Sequence, residues 1–277
     1  MIGTVTLPGG ATVAALGQGT WQMGERRDLR TAEIAALRAG VDAGMTLIDT
    51  AEMYGEGAAE TLIGEALGDR RDDLFIVSKA YPQNAGRDRL PKACEASLRR
   101  LGTDRIDLYL LHWRGSVPFA ETIDAMHALR EAGKIRYWGV SNLDRDDMAE
   151  LVAAGGEDCA TDQILYNLGR RGPEFDLLPW LDHRRMTAMA YSPVEQGGLV
   201  GNAALQEIAD ALSATPAQVA LAWLLRRKNL IAIPKAGTAA HVRENAGAAD
   251  LRLDDDVLAA LDRAFPAPSK PSRLKML

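Results

Sequence analysis

The sequence predicts an α/β fold, a (β/α)8 TIM barrel carrying an N-terminal β-hairpin and extra C-terminal helices. Three observations lead there. Eight short apolar runs recur at roughly thirty-residue intervals, each followed by a stretch with helical apolar spacing. No Pro/Gly/Ser-rich linker or shift of composition divides the 277 residues, a length such barrels commonly reach as one unit. The competing open, doubly wound sheet usually shows a glycine-rich phosphate loop. Gly17-Gln18-Gly19 lacks the third glycine and opens no helix.

In chain order, two short β-prone runs flank Pro8-Gly9-Gly10 and read as a hairpin over residues 4–13, placed to plug one end of a barrel spanning about 14–250. Residues 14–17 are the first barrel strand, leading into Gly19-Thr20-Trp21. Residues 31–43 have helical spacing, with Thr31 suited to cap the start and Gly44 the end. Strands at 46–49, 75–78 and 106–111 alternate with helices at 58–67, 87–101 and 119–132. Strands at 136–140, 159–165 and 187–190 follow, with helices at 144–154, where Asp144 is a plausible cap, and at 176–183. Two helices, 203–212 and 216–227, precede the eighth strand at 230–233 and a helix at 239–248. A last helix at 254–264 and a tail rich in Pro, Ser and Lys, expected extended and mobile, make up residues 254–277.

Composition narrows the function classes. Hydrophobic residues at 47% and charged residues at 25% are ordinary for a globular protein. A net charge of −6 gives no electrostatic footprint for nucleic acid or an anionic membrane. No apolar run nears the roughly eighteen residues a membrane span needs. Cys94 and Cys159 stand alone and make no disulfide framework. Residues 1–13 lack a basic region followed by an apolar core, so the expectation is a cytoplasmic protein, taken as a monomer.

In a barrel, the C-terminal ends of the strands gather over one mouth, where catalysis sits. Asp49, Lys79 and His112 end the second, third and fourth strands, and Tyr54 follows on the loop after Asp49. Taken singly each has a plain structural reading: a loop cap, a surface cation, a core histidine, a packing tyrosine. Together they fit a reaction that protonates an oxygen. A phenol has a pKa of about 10 and donates more readily beside an ammonium, which favours the phenolate. Asp49 would hold Lys79 charged, and His112 would hydrogen-bond a substrate oxygen. No metal is expected, because His112, His127, His183 and His241 are scattered and no zinc-binding spacing occurs. A serine hydrolase lacks its Gly-x-Ser-x-Gly.

The stretches Gly17-Gln18-Gly19-Thr20-Trp21, DTAEMYG from Asp49, Ser78-Lys79, DLYLLHW from Asp107 and GKIRYWGVSN from Gly133 resemble the aldo-keto reductase superfamily. So do QILYN from Gln163, AYSP from Ala190 and IPKA from Ile233. More narrowly, DTAEMY, LLHWRGS and AIPKA look like a bacterial subgroup that includes methylglyoxal reductases. The resemblance implies an NADPH-dependent carbonyl reductase acting on a small aldehyde or ketoaldehyde, with Tyr54 as general acid, Lys79 and Asp49 as its tuning pair, and His112 orienting the carbonyl. It implies a nicotinamide dinucleotide lying across the mouth, contacted by Gly19, Thr20, Trp21 and Asp49. Tyr191 would stack on the nicotinamide, and Ser141, Asn142 and Gln163 would bond its carboxamide. Ser192, Pro193 and Val194 would lie under the pyrophosphate. Lys235 would stand against the 2′-phosphate, with Ile233, Ala236 and His241 also contacting the cofactor and Glu244 and Asn245 at the adenine. His241 stands where many members carry arginine, a better phosphate partner, which leaves NADH as the alternative cofactor. Trp21, Met53, Tyr81 and Trp113 would form an apolar pocket wall, and the short tail would leave the mouth open. The rival of a different class is a cofactor-sensing regulatory module on the same fold.

Overall fold

The computed structural model describes residues 1–277. Two strands, β1 (Thr4–Thr6) and β2 (Thr12–Ala14), pair antiparallel, Val5 opposite Val13. The barrel strands are β3 (Gln18–Gly19), β4 (Leu47–Asp49), β5 (Phe75–Ala80), β6 (Ile106–Leu111), β7 (Ile135–Ser141), β8 (Thr161–Leu165), β9 (Thr187–Tyr191) and β10 (Leu230–Ile233). All pair in parallel in chain order. Parallel bridges from Leu16 to Ala232 and from Gly19 to Lys235 bring the first strand against the last and close the ring. Between strands run α1 (Arg30–Asp42), α2 (Ala58–Leu67), α3 (Leu90–Leu101), α4 (Phe119–Glu131), α5 (Arg145–Ala153) and α6 (Leu177–His183). Then come α7 (Ala203–Ala211) and α8 (Pro216–Leu225), followed after β10 by α9 (Ala239–Gly247) and by α10 (Asp255–Ala264). No single helix is long and apolar enough to cross a membrane.

Two local expectations change. Ala14 belongs to the hairpin, paired with Thr4, and the first barrel strand is Gln18–Gly19 rather than residues 14–17; a Cβ at Gly19 would stand 2.9 Å from the Ile233 carbonyl oxygen. Only glycine lets the chain run that close to β10. Thr31 lies inside α1, whose start follows directly from a turn at Leu29 with no side-chain cap. Asp144 does cap α5, accepting from the amides of Asp146 and Asp147 at 3.0 Å each.

The hairpin is the plug its position suggested. Val5, Leu7, Val13 and Ala15 join Leu47, Val77, Leu108, Leu110, Met189, Ile231 and Ile233 in one apolar cluster that fills the barrel interior. Each large aliphatic side chain so buried contributes about 1.5–3 kcal/mol. Helix faces and outward strand residues form the larger second cluster around the ring. Strand alternation then decides what crowns the interior. Two residues beyond inward Leu47, Val77, Leu110, Gly139, Thr161 and Met189 come Asp49, Lys79, His112, Ser141, Gln163 and Tyr191. Six polar groups thus meet over one apolar plug.

Gly139 shows how tight that interior is. A Cβ there would meet the Thr161 carbonyl oxygen at 2.7 Å and the Leu110 Cδ2 at 2.9 Å. Gly139→Ala should cost about 1–3 kcal/mol by overpacking, read as a lower urea midpoint with an unchanged slope. An unchanged midpoint would mean that β7 and β8 can separate at no cost.

Candidate active site

Lys79 is the centre of the site. Its side chain is fully buried, and its ammonium has three N–H groups and three acceptors: Asp49 Oδ2 at 2.9 Å, the Thr50 carbonyl at 2.7 Å and the Tyr54 hydroxyl oxygen at 3.2 Å. Nothing on the cation is left unpaired. The barrel register explains the meeting, since Asp49 on β4 lies beside Val77 on β5, two residues before Lys79. Tyr54 reaches the same point because the chain turns sharply after it, through Gly55, Glu56 and Gly57, all at positive φ. The Lys79 ammonium also lies 4.8 Å from the Tyr54 ring centroid.

The electrostatics correct one expectation. Burial pushes the Tyr54 phenol above its ordinary value, and the Lys79 charge pulls it only part of the way back. Lys79 therefore acts against desolvation, and the phenol stays protonated at neutral pH. For Lys79, burial disfavours the charge, but Asp49 and Tyr54 outweigh it and hold the amine above its usual value. Burial raises Asp49, opposed by Lys79 and by the Gln163 amide.

His112 is 8% exposed, and its ring stands edge-on to Tyr54 with centroids 5.8 Å apart. Burial and then the Lys79 charge push its pKa down to about 2, so the imidazole is neutral. Its Nδ1 is buried with no partner. A buried lone pair is tolerated better than a buried orphan N–H, which places the single proton on Nε2.

The other expected residues fall into three groups around this centre. Asn142, at φ +62°, donates to the His112 carbonyl and to Ser141 Oγ, each at 3.1 Å, and accepts from the Tyr191 hydroxyl at 2.9 Å. Ser141 donates to the Gln163 carbonyl at 2.8 Å, and the Gln163 side-chain amide donates to Asp49 Oδ1 at 2.7 Å. Tyr81 and Trp113 stand edge to face at 5.9 Å, and Trp113 lies 4.9 Å from the His112 ring, giving a continuous aromatic wall. Trp21 and Met53, each 38% exposed, sit on the loops after β3 and β4 at the same barrel end. Gly19 pairs with Lys235, and Thr20 donates to the Asp49 carbonyl through both its hydroxyl and its amide. Lys235, His241 and Arg243 are exposed, whereas Asn245 is buried and Glu244 partly so.

The loop at Ser192, Pro193 and Val194 is held by residues that composition and spacing did not single out. Asn167 donates to the Ser192 carbonyl at 2.8 Å and to Glu195 at 2.7 Å, and Arg170 donates to the same carboxylate at 2.7 Å. Ser192, Glu195 and Gln196 all have positive φ without being glycine, so this segment stores local strain. Partners some twenty-five residues away on another loop leave no sequence signal. The tail is extended, as expected. It forms no helix or strand, yet Leu274 packs on the core and Ser272 lies against Gly172. Burial pushes the Tyr191 phenol up.

Comparison with known proteins adds the decisive observation: a model of the aldo/keto reductase family matches residues 15–265. The chain belongs to the aldo/keto reductase family. It is 53% identical over 279 aligned residues to methylglyoxal reductase YeaE of Escherichia coli, covering 99% of this chain and 98% of that one. Crystal structures of a Klebsiella pneumoniae aldo/keto reductase, one with NADP and acetate and one with NADPH, superpose with a TM-score of 0.97 at 49% identity, covering all of both chains. An aldo/keto reductase from Brucella melitensis has a TM-score of 0.82 at 30% identity, covering 95% of this chain and 99% of that one. The eight-stranded barrel, closed by its short first strand, is the architecture these reductases share with this chain.

Proposed function

We propose that the chain is an NADPH-dependent reductase of small aldehydes and ketoaldehydes, with methylglyoxal as reference substrate and Tyr54 as proton donor. The observation that carries this reading is the direction of one hydrogen bond. The Lys79 ammonium can only donate, so the Tyr54 oxygen accepts from it. The phenol's own hydrogen is left for a group entering the mouth. Beside it, a neutral His112 has an N–H on Nε2 to offer the same incoming oxygen.

The chain's free groups fit a nicotinamide dinucleotide phosphate. Lys235 is exposed next to the N-terminus of α9 and bonds no carboxylate, which suits a phosphate group. The backbone of Ser192 to Val194 is fixed from beneath by Asn167. When bound, the reduced nicotinamide supplies hydride to the carbonyl carbon. His112 and Tyr54 then hold the oxygen from two sides as it gains charge, and Tyr54 transfers its proton. The Lys79 ammonium, with Asp49 behind it, stabilises the phenolate that remains. Trp113 and Tyr81 exclude water on one side. YeaE is named for methylglyoxal, and the two Klebsiella structures hold NADP and NADPH, which supports both choices.

Mixing the protein with NADPH and methylglyoxal should give loss of the reduced-nicotinamide absorbance that depends on the carbonyl. No oxidation with any member of a broad carbonyl panel would defeat the proposal and favour a cofactor-sensing module. The cofactor choice has its own test. Lys235→Met should weaken NADPH binding about tenfold and leave NADH unchanged, read as dissociation constants by fluorescence. His241 in place of a guanidinium gives a second reading, an NADH-preferring enzyme, which equal or tighter NADH binding by the unaltered protein would establish.

A further inference from the structure

Gln163 does more than its place beside the mouth requires. It sits on β8, four strands around the ring from β4 and so on the opposite wall, and it is 1% exposed. Its Nε2 crosses the interior to donate to Asp49 Oδ1 at 2.7 Å and also contacts Met189 Sδ at 2.9 Å. The orientation of this amide is forced. Turned over, it would set its carbonyl oxygen against a carboxylate oxygen with no hydrogen between them. Asp49 is thus gripped at both oxygens, Oδ2 by Lys79 and Oδ1 by Gln163. The other end of the amide, Oε1, takes no hydrogen bond from the chain and is not among its sealed, unpartnered atoms.

We propose that Gln163 is a positioning residue for the proton-donating cluster: from the far wall it fixes Asp49, and through Asp49 the ammonium that bonds Tyr54. The inference rests on the reductase reading for its purpose, but not for its test.

The test titrates Asp49 in the cofactor-free protein, by carboxyl-carbon NMR of aspartate-labelled chain with the resonance assigned through Asp49→Asn. The Gln163 bond favours the ionised carboxylate, so its loss must favour the protonated form and raise the midpoint. Gln163→Met, similar in volume and without a donor, is expected to raise it by about one to two pH units. Gln163→Glu is expected to raise it as well, because two carboxylates would then share one proton. The acid limb of the wild-type rate profile should move upward with the midpoint at saturating NADPH. A midpoint unchanged in both variants, with only NADPH affinity altered, would show that Gln163 touches the cofactor alone and would overturn the proposal. Failure of the unaltered protein to oxidise NADPH would defeat the reductase reading instead, and the Asp49 titration would still return its own answer.

Discussion

Tyr54→Phe is expected to lower kcat for carbonyl reduction by about 10²–10⁴-fold while the NADPH dissociation constant changes by less than about twofold. The substitution removes one oxygen and keeps the ring. The edge-on packing against His112 and the cation–ring contact with Lys79 both survive. What is lost is the only hydroxyl that accepts from Lys79, and with it the proton that faces the mouth. Steady-state kinetics with methylglyoxal, paired with fluorescence titration of NADPH, separates the two quantities. Retention of most of kcat would mean that water or His112 supplies the proton.

Lys79→Met should abolish turnover to a similar extent and also destabilise the fold. Asp49 is 2% exposed, and its charge is matched by this one cation. Removing one partner of a buried pair leaves the other uncompensated, at a cost of about 3–5 kcal/mol, unless Asp49 takes up a proton. The sign of the pH dependence follows from that choice. Burial already raises Asp49, and loss of Lys79 raises it further, so over the acid-to-neutral range the folded variant binds more protons than the unfolded chain. Its stability then falls as pH rises and returns as pH is lowered. Thermal melts of wild type and variant across this range should diverge toward neutral pH and converge toward acid. Parallel curves would show that water or another cation reaches Asp49.

The sequence carried the barrel because its two signals were strong and independent. Apolar runs short enough for strands recurred between helix patterns, and polar residues sat at the end of run after run. The same alternation that made Leu47 and Val77 apolar put Asp49 and Lys79 over the interior, so these two members of the proposed site were legible as positions. Residues such as Thr31 and Ala14 were misplaced because one cap or one strand residue is decided by neighbours. Ala14 is claimed by its pairing with Thr4 in the hairpin, and α1 grows directly out of a turn. The sign of the Tyr54 shift was illegible for a related reason. A neighbouring charge can be guessed from spacing, but the competing desolvation depends on how deeply the plug and walls bury the site. The grip of Asn167 and Arg170 on the loop at Ser192, and of Gln163 on Asp49, joins residues far apart in the chain, which no local pattern records.

The alkaline limb of the single-turnover rate, measured with NADPH and methylglyoxal in wild type and Tyr54→Phe, bears most directly on the central claim. A phenol that must be protonated to act gives a wild-type rate that falls as pH rises through its ionisation, displaced upward from the ordinary tyrosine range by burial. That limb is expected in wild type and should disappear in the slow phenylalanine variant. The same limb in both proteins would contradict it, because the proton would then come from another group.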